Sequence, residues 1–224
     1  MARRKPRRRW QWAVASVVIL GAVVIHAPVA LAFPYKQSVG DVTVYAETPI
    51  APQIVQVVHH AEALVAASPL ADERHGGQVF LTDGGWRWHV LALQSSGAFA
   101  LTRPLSVAVV VNRNDIAADR ALNGRTVGGE RALSGTIAHE WTHQMTRARY
   151  GLTADARYPS WLTEGFADHV AGQGSLGDAQ AADLRRRGED HPALLYYDGR
   201  KRVEAELRTN GGSVDALFAH WKSF

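Results

Sequence analysis

The chain has 224 residues, enough for one domain of ordinary size plus a tail. It contains no cysteine, which excludes disulfides and any thiolate metal site. Its net charge of +4 points to nucleic acid only until the charges are placed. Arg3, Arg4, Lys5, Arg7, Arg8 and Arg9 supply six of the positive charges, and without them the remainder stands at −2 with mixed signs, so no nucleic-acid partner is expected.

Residues 13–25 follow that basic start and carry no charge, and residues 26–33 read HAPVALAF. A basic start, a short apolar run, Pro28 and the small-residue pattern of Ala30, Leu31 and Ala32 describe a secretory signal peptide cleaved after Ala32. An uncleaved anchor is the competing reading. Residues 10–33 are long and apolar enough to span a bilayer, with Trp10 and Trp12 at its interface. In both cases the arginines stay cytoplasmic, and everything after Phe33 lies outside the cytoplasm. The expected organisation is a signal peptide or single membrane anchor over 1–32 and one folded domain over 33–224, with residues 33–39 as a flexible link.

Residues 41–46 alternate apolar and polar and predict a strand. Residues 50–67 place Ile50, Ile54, Val57, Val58, Ala61, Leu64 and Val65 at helical spacing. His59 and His60 fall there, but adjacent helical residues point about 100° apart and cannot chelate together. Residues 78–83 predict a second strand, and Gly84 and Gly85 a turn. Residues 86–93 fit either an alternating strand or the start of a helix. Residues 105–111 are β-branched and give the clearest strand, turned at 112–115. Asn123 and Gly124 signal a turn before a short extended segment over 125–129. A helix then runs from near 132–135 to Gly151. A loop over 153–159 leads to a helix over 160–171 and a short exposed helix over 179–187. Residues 192–207 form a further helix, with Leu195, Val203 and Leu207 toward the core, and Ser213 caps a last helix over 214–221. The expected fold class is α+β: a small mixed sheet packed on the 132–151 helix, then a mostly helical C-terminal half.

Residues 135–146 read GTIAHEWTHQMT. His139 and His143 are four apart, so they share one helix face and can reach one metal ion. Glu140 stands beside them, offset from the ligand row but within reach of a water on that ion. A catalytic site of this kind needs a third protein ligand. A third His six residues further on is excluded, because Arg149 stands there and Thr146 holds the midway position that a glycine would need. The alternative is a carboxylate on a second helix. Residues 161–168 read WLTEGFAD and offer Glu164, with Asp168 one turn later. Trp141 and Trp161 read as packing between the two helices.

HEWTH followed by WLTEGFAD resembles the gluzincins, the thermolysin-like and aminopeptidase-like zinc metallopeptidases; the likeness covers about residues 136–171. It implies Zn²⁺ held by His139, His143 and Glu164, with Asp168 orienting His139 through its other ring nitrogen. Glu140 is then the general base acting on a zinc-bound water. Such enzymes also use Tyr or His to hold the oxyanion. Tyr158, Tyr196, Tyr197 and His191 are available, and Tyr197 is the first choice. The implied function is a zinc-dependent endopeptidase working outside the cytoplasm on a peptide or protein substrate. The membrane is a partner if the N-terminal segment stays. The long recognition segments of aminopeptidases are absent, so exopeptidase activity is not expected. An edge strand over 107–111 or 125–128 is expected to pair with substrate backbone. The competing reading is a zinc-binding, non-catalytic module of the same fold.

Overall fold

The computed structural model describes residues 10–12, 14 and 27–223. Most of the expected signal or anchor segment lies outside them. Among the described residues no helix is long and apolar enough to cross a membrane.

The chain is α+β. Strands β1 (Tyr35–Val39), β2 (Val42–Ala46), β3 (Gln78–Leu81), β4 (Ala100–Thr102) and β5 (Ala108–Val111) form one mixed sheet in the order β1-β2-β3-β5-β4. β2, β3 and β5 run parallel, and β1 and β4 are antiparallel edges. Strand side chains alternate between faces, and each face here has its own helical cover. Val44, Val79, Val109 and Val111 pack in one core with Ile54, Val57 and Val58 of α1 (Ile54–Ala66). Phe80, Ala108 and Val110 pack in a second core with Trp88 and Leu91 of α2 (Trp86–Ala92). Burial on both faces explains why β3 and β5 read as unbroken apolar runs.

The structure decides one open sequence expectation and corrects others. Residues 86–92 are helical, because Trp88, Leu91 and Ala92 share the face that covers Phe80. Most of the expected link over 33–39 is strand β1, paired along its length with β2. The expected turn at 112–115 contains β6 (Arg113–Asp115), which pairs with β7 (Arg120–Leu122), and β7 pairs in turn with β8 (Glu130–Ala132). The expected extended segment over 125–129 is the loop between β7 and β8.

That three-stranded sheet delivers the chain to α3 (Leu133–Tyr150). No side chain at Ala132 caps this helix. Asp119, in the loop between β6 and β7, does so instead. Its carbonyl accepts from Leu133 N at 3.0 Å, and its carboxylate accepts from Ser134 N and Ser134 Oγ, each at 2.7 Å. A carboxylate there satisfies open N–H groups and faces the positive end of the helix dipole. Gly151, at φ +102°, ends the helix where it was expected to end.

α3 is buried from Leu133 to Arg147. Its polar side chains therefore need internal partners. Thr136 and Thr142 donate back to Ala132 O and Ala138 O at 2.8 Å, and Gln144 bridges Gly76 N and Thr102 Oγ1. Trp141 is fully buried in the first core, while Trp161 is partly buried against it.

The C-terminal half is helical: α4 (Ala154–Arg157), α5 (Ser160–Val170), α6 (Asp178–Arg186), α7 (Pro192–Thr209) and α8 (Val214–His220). α4 occupies part of the expected 153–159 loop. Ser213 caps α8 by accepting from Ala216 N at 3.1 Å, as expected. Val203 is buried and Leu207 packs against the core, but Leu195 is exposed. α5 and α7 touch backbone to backbone. A Cβ on Gly165 would lie 2.4 Å from the Gly199 carbonyl carbon, and one on Gly199 would lie 2.7 Å from Trp161 O. The two glycines therefore set the position of α5, and α5 carries Glu164.

Candidate metal centre

α3 presents His139 and His143 one turn apart, and α5 brings Glu164 across them. His139 Nε2 lies 3.2 Å from His143 Nε2 and 3.3 Å from Glu164 Oε2. His143 Nε2 lies 3.5 Å from Glu164 Oε1. Three donors each about 2.1 Å from one tetrahedral centre stand about 3.4 Å apart, so these spacings suit a single ion. The three residues form one group that could hold a metal ion.

Each imidazole is oriented from behind by an acid. His139 Nδ1 lies 2.8 Å from Asp168 Oδ1, and the same oxygen accepts from Arg131 Nη2. Burial works against charge on Asp168, but Arg131 and His139 outweigh it and hold the carboxyl below its ordinary range. An ionised carboxylate only accepts, so Nδ1 carries the proton and Nε2 turns its lone pair toward Glu164. His143 repeats the pattern with Asp155 of α4. Its Nδ1 lies 3.2 Å from Asp155 Oδ1, and Arg147 Nε donates to Asp155 Oδ2 at 2.6 Å. Asp155 is also held low: burial opposes its charge, and His143 and Arg147 prevail. Two imidazole lone pairs and a carboxylate thus face one another at hydrogen-bond range. Such an arrangement of acceptors calls for a cation between them.

Without that cation, protons substitute for it. Burial opposes charge on both histidines, but the carboxylates around them prevail. His139 is raised by Asp168 and Glu164, and His143 is raised further by Glu164 and Asp155. Burial also opposes charge on Glu164, yet His143 and His139 hold it well below its ordinary value. Burial pushes Glu140 up, partly countered by His139 and His143.

His139, Glu140, His143 and Glu164 line one cavity of about 480 Å³, whose wall includes β4, Arg125, Arg147 and Tyr196. The sheet edge at this cavity is β4 and not the expected 107–111 segment. β5 lies between β3 and β4 and has no free edge. Phe99 O accepts from Asn112 N at 2.8 Å, so antiparallel alternation turns the backbone groups of Ala100 and Thr102 away from β5. Arg147 Nη2 reaches Thr102 O at 3.3 Å, which ties this edge to the His143 side of the site.

Tyr197 does not reach the group. Its hydroxyl donates to Asp178 Oδ1 at 2.8 Å, and its ring lies beside Arg185 and Lys201. The neighbouring Tyr196 lines the cavity instead, because successive helical residues point about 100° apart. Tyr158 is buried in an aromatic cluster with Tyr150 and Phe218, and His191 caps α7 by accepting from Ala193 N. His60 pairs with Ser134 Oγ at 3.1 Å, and neither it nor His169 joins the metal group.

Comparison with family models, curated proteins and solved structures found no match.

Sequence reasoning missed Arg131, Arg147 and Asp155, and it placed Tyr196 behind Tyr197. One of them left a trace: Arg147 continues the row of His139 and His143 at the same four-residue step. Asp155 lies in a segment expected to be a loop, and nothing local marks it.

Proposed function

We propose that the chain is a zinc-dependent endopeptidase of gluzincin type, acting outside the cytoplasm. The observation that carries this reading is the convergence of His139 Nε2, His143 Nε2 and a Glu164 oxygen at 3.2–3.5 Å, with Glu140 in the same cavity. Two imidazoles and one carboxylate, with a fourth position open to the cavity, are the donor set of a catalytic zinc. A zinc ion there would supply Lewis-acid polarisation of a carbonyl and lower the pKa of a water to about 7.

The protein's own groups divide the remaining work. Asp168 and Asp155 keep both histidines in the ligating tautomer. Glu140 takes the proton from the attacking water and hands it to the leaving amine. Tyr196, rather than Tyr197, is placed to donate to the carbonyl oxygen as charge develops there. The outward backbone groups of Ala100 and the Thr102 N–H can pair with an extended substrate segment, which favours internal peptide bonds over chain ends.

Glu140→Gln tests the reading. The variant should bind zinc stoichiometrically and lose hydrolysis of a peptide library. Full activity in that variant would remove Glu140 from the reaction. Stoichiometric zinc with no cleavage by the unaltered protein would make the chain a non-catalytic binding module.

A further inference from the structure

α2 covers the second core with Trp88, Leu91 and Ala92, yet its outer side is also apolar. Trp86 is 58% exposed and Val90 40%, and Leu93, in the turn that follows, is 53% exposed. Positions 86 and 90 fall on one helical stripe, and Leu93 follows directly at the end of the helix. Leu105 is 81% exposed. Its turn is held against the same end of the helix by Arg103 Nη2, which donates to Leu91 O at 2.6 Å. Leu93 and Leu105 both have positive φ, +53° and +66°, a region that L residues rarely enter. Strain at two exposed leucines, with no packing gained in return, marks a surface built for contact.

The chain enters the domain at this same surface. Arg87 Nε donates to Leu31 O at 2.9 Å and Nη2 to Ala32 O at 3.3 Å. The guanidinium stacks near both Phe33 and Trp86, and Leu31 and Phe33 pack against the Phe80 core. Residues 28–31 form a 3-10 turn with Pro28 buried. Cleavage after Ala32 would remove Leu31 and both backbone acceptors of Arg87, leaving it Glu47 Oε1 at 2.7 Å. It would also need this turn to open into an extended segment. Immediately before it in sequence come the uncharged residues 13–25.

We propose that the N-terminal segment is retained as a membrane anchor, and that Trp86, Val90, Leu93 and Leu105 lie in the interface of the same bilayer. Four apolar side chains bind lipid weakly on their own. The tether makes their contact intramolecular, so a weak surface suffices. Trp86 suits the headgroup level, where indole rings collect. α3 packs on the opposite face of the sheet, while the rim of the metal cavity at Gln94 and Ser95 adjoins Leu93. The inference does not depend on the metal chemistry.

The absence of cysteine allows a direct test. Full-length chain carrying Val90→Cys, Leu93→Cys or, as a control on α7, Arg208→Cys is reconstituted in phosphatidylethanolamine–phosphatidylglycerol vesicles. Each variant bears a polarity-sensitive fluorophore. Labels at 90 and 93 should be quenched severalfold more than the label at 208 by a lipid-borne nitroxide. The exported protein should keep the mass of the full chain in the membrane fraction. An N-terminus at Phe33, or quenching at 90 and 93 no stronger than at 208, would overturn the proposal.

Discussion

The two flanks of the metal group use the same three-part device at different depths. On one, His139 leans on Asp168, and Arg131 neutralises the acid. On the other, His143 leans on Asp155, and Arg147 does so. The Asp168 side chain is 1% exposed and the Asp155 side chain 32%. A buried ion pair is costly to make and far more costly to break, because the surviving partner is left charged and dry. A pair that water can reach is screened and contributes little to stability. The deep flank therefore holds the fold and the ligand together. The shallow flank holds the ligand alone and connects it to the rim, through Arg147 and Thr102 O.

Asp168→Ala should break the comparison most visibly. It strands Arg131 in the core, and a loss of about 3–5 kcal/mol in urea unfolding is expected for a buried pair that loses one partner. A loss below about 1 kcal/mol would mean that water reaches Arg131 and that the two flanks are alike. Burial, with Glu164 and Asp168 adding to it, pushes the Tyr196 phenol up, and its side chain lines the cavity with Glu164. Tyr196→Phe should lower kcat by about 10²-fold with zinc content unchanged, the usual cost of one oxyanion donor. Tyr197→Phe should leave kcat unaltered, and equal losses in both variants would remove the distinction drawn between them.

pH acts on both flanks. His139 and His143 are raised in the metal-free protein, so the stability they contribute is complete below the unfolded value of about 6.5 and fades as pH climbs through their raised values. Glu164 is depressed, so its contribution is present above the unfolded value of about 4.3 and is lost as pH falls through its lowered one. Metal binding needs neutral imidazoles and must expel these protons. Zinc affinity should therefore rise as pH climbs above about 6.5 through their raised values, with measurable proton release in calorimetry. A flat profile would mean that the empty site holds no proton. Asp155→Ala should cost less than Asp168→Ala, because Asp155 is 32% exposed, but it leaves Arg147, 8% exposed, without its acid. The variant's signature should be zinc affinity reduced about tenfold, at the lower end for a group that orients a metal-ligating histidine. Wild-type affinity in that variant would leave Asp155 as a surface charge.

Local patterns made half of this arrangement legible. His139 and His143 are one helical step apart, and so are Glu164 and Asp168, so each pair is decided within a single turn. The ends of α3 and α5 and the Ser213 cap were readable for the same reason. β3 and β5 announced themselves as apolar runs. β4 did not, because three residues with one partner strand carry too little pattern to be seen. Leu195 was misplaced because a helical stripe shows which residues share a face, not whether that face meets the core.

By itself, the sequence determined the α+β class, the two helices that carry the candidate ligands, and the absence of any thiolate site. These depend on the 3.6-residue and two-residue periods of the backbone and on side-chain chemistry. Tertiary structure alone decided which groups meet across long separations. It set Asp119 on the N-terminus of α3, Arg131 behind Asp168, Asp155 on His143 and Tyr196 instead of Tyr197 on the cavity. It made β4 the sheet edge at the cavity, and it drew α5 against α7 through Gly165 and Gly199. Those contacts arise from packing two sheets and the C-terminal helices around one buried helix. Packing is settled by the volume and shape of the whole chain, which no local period records.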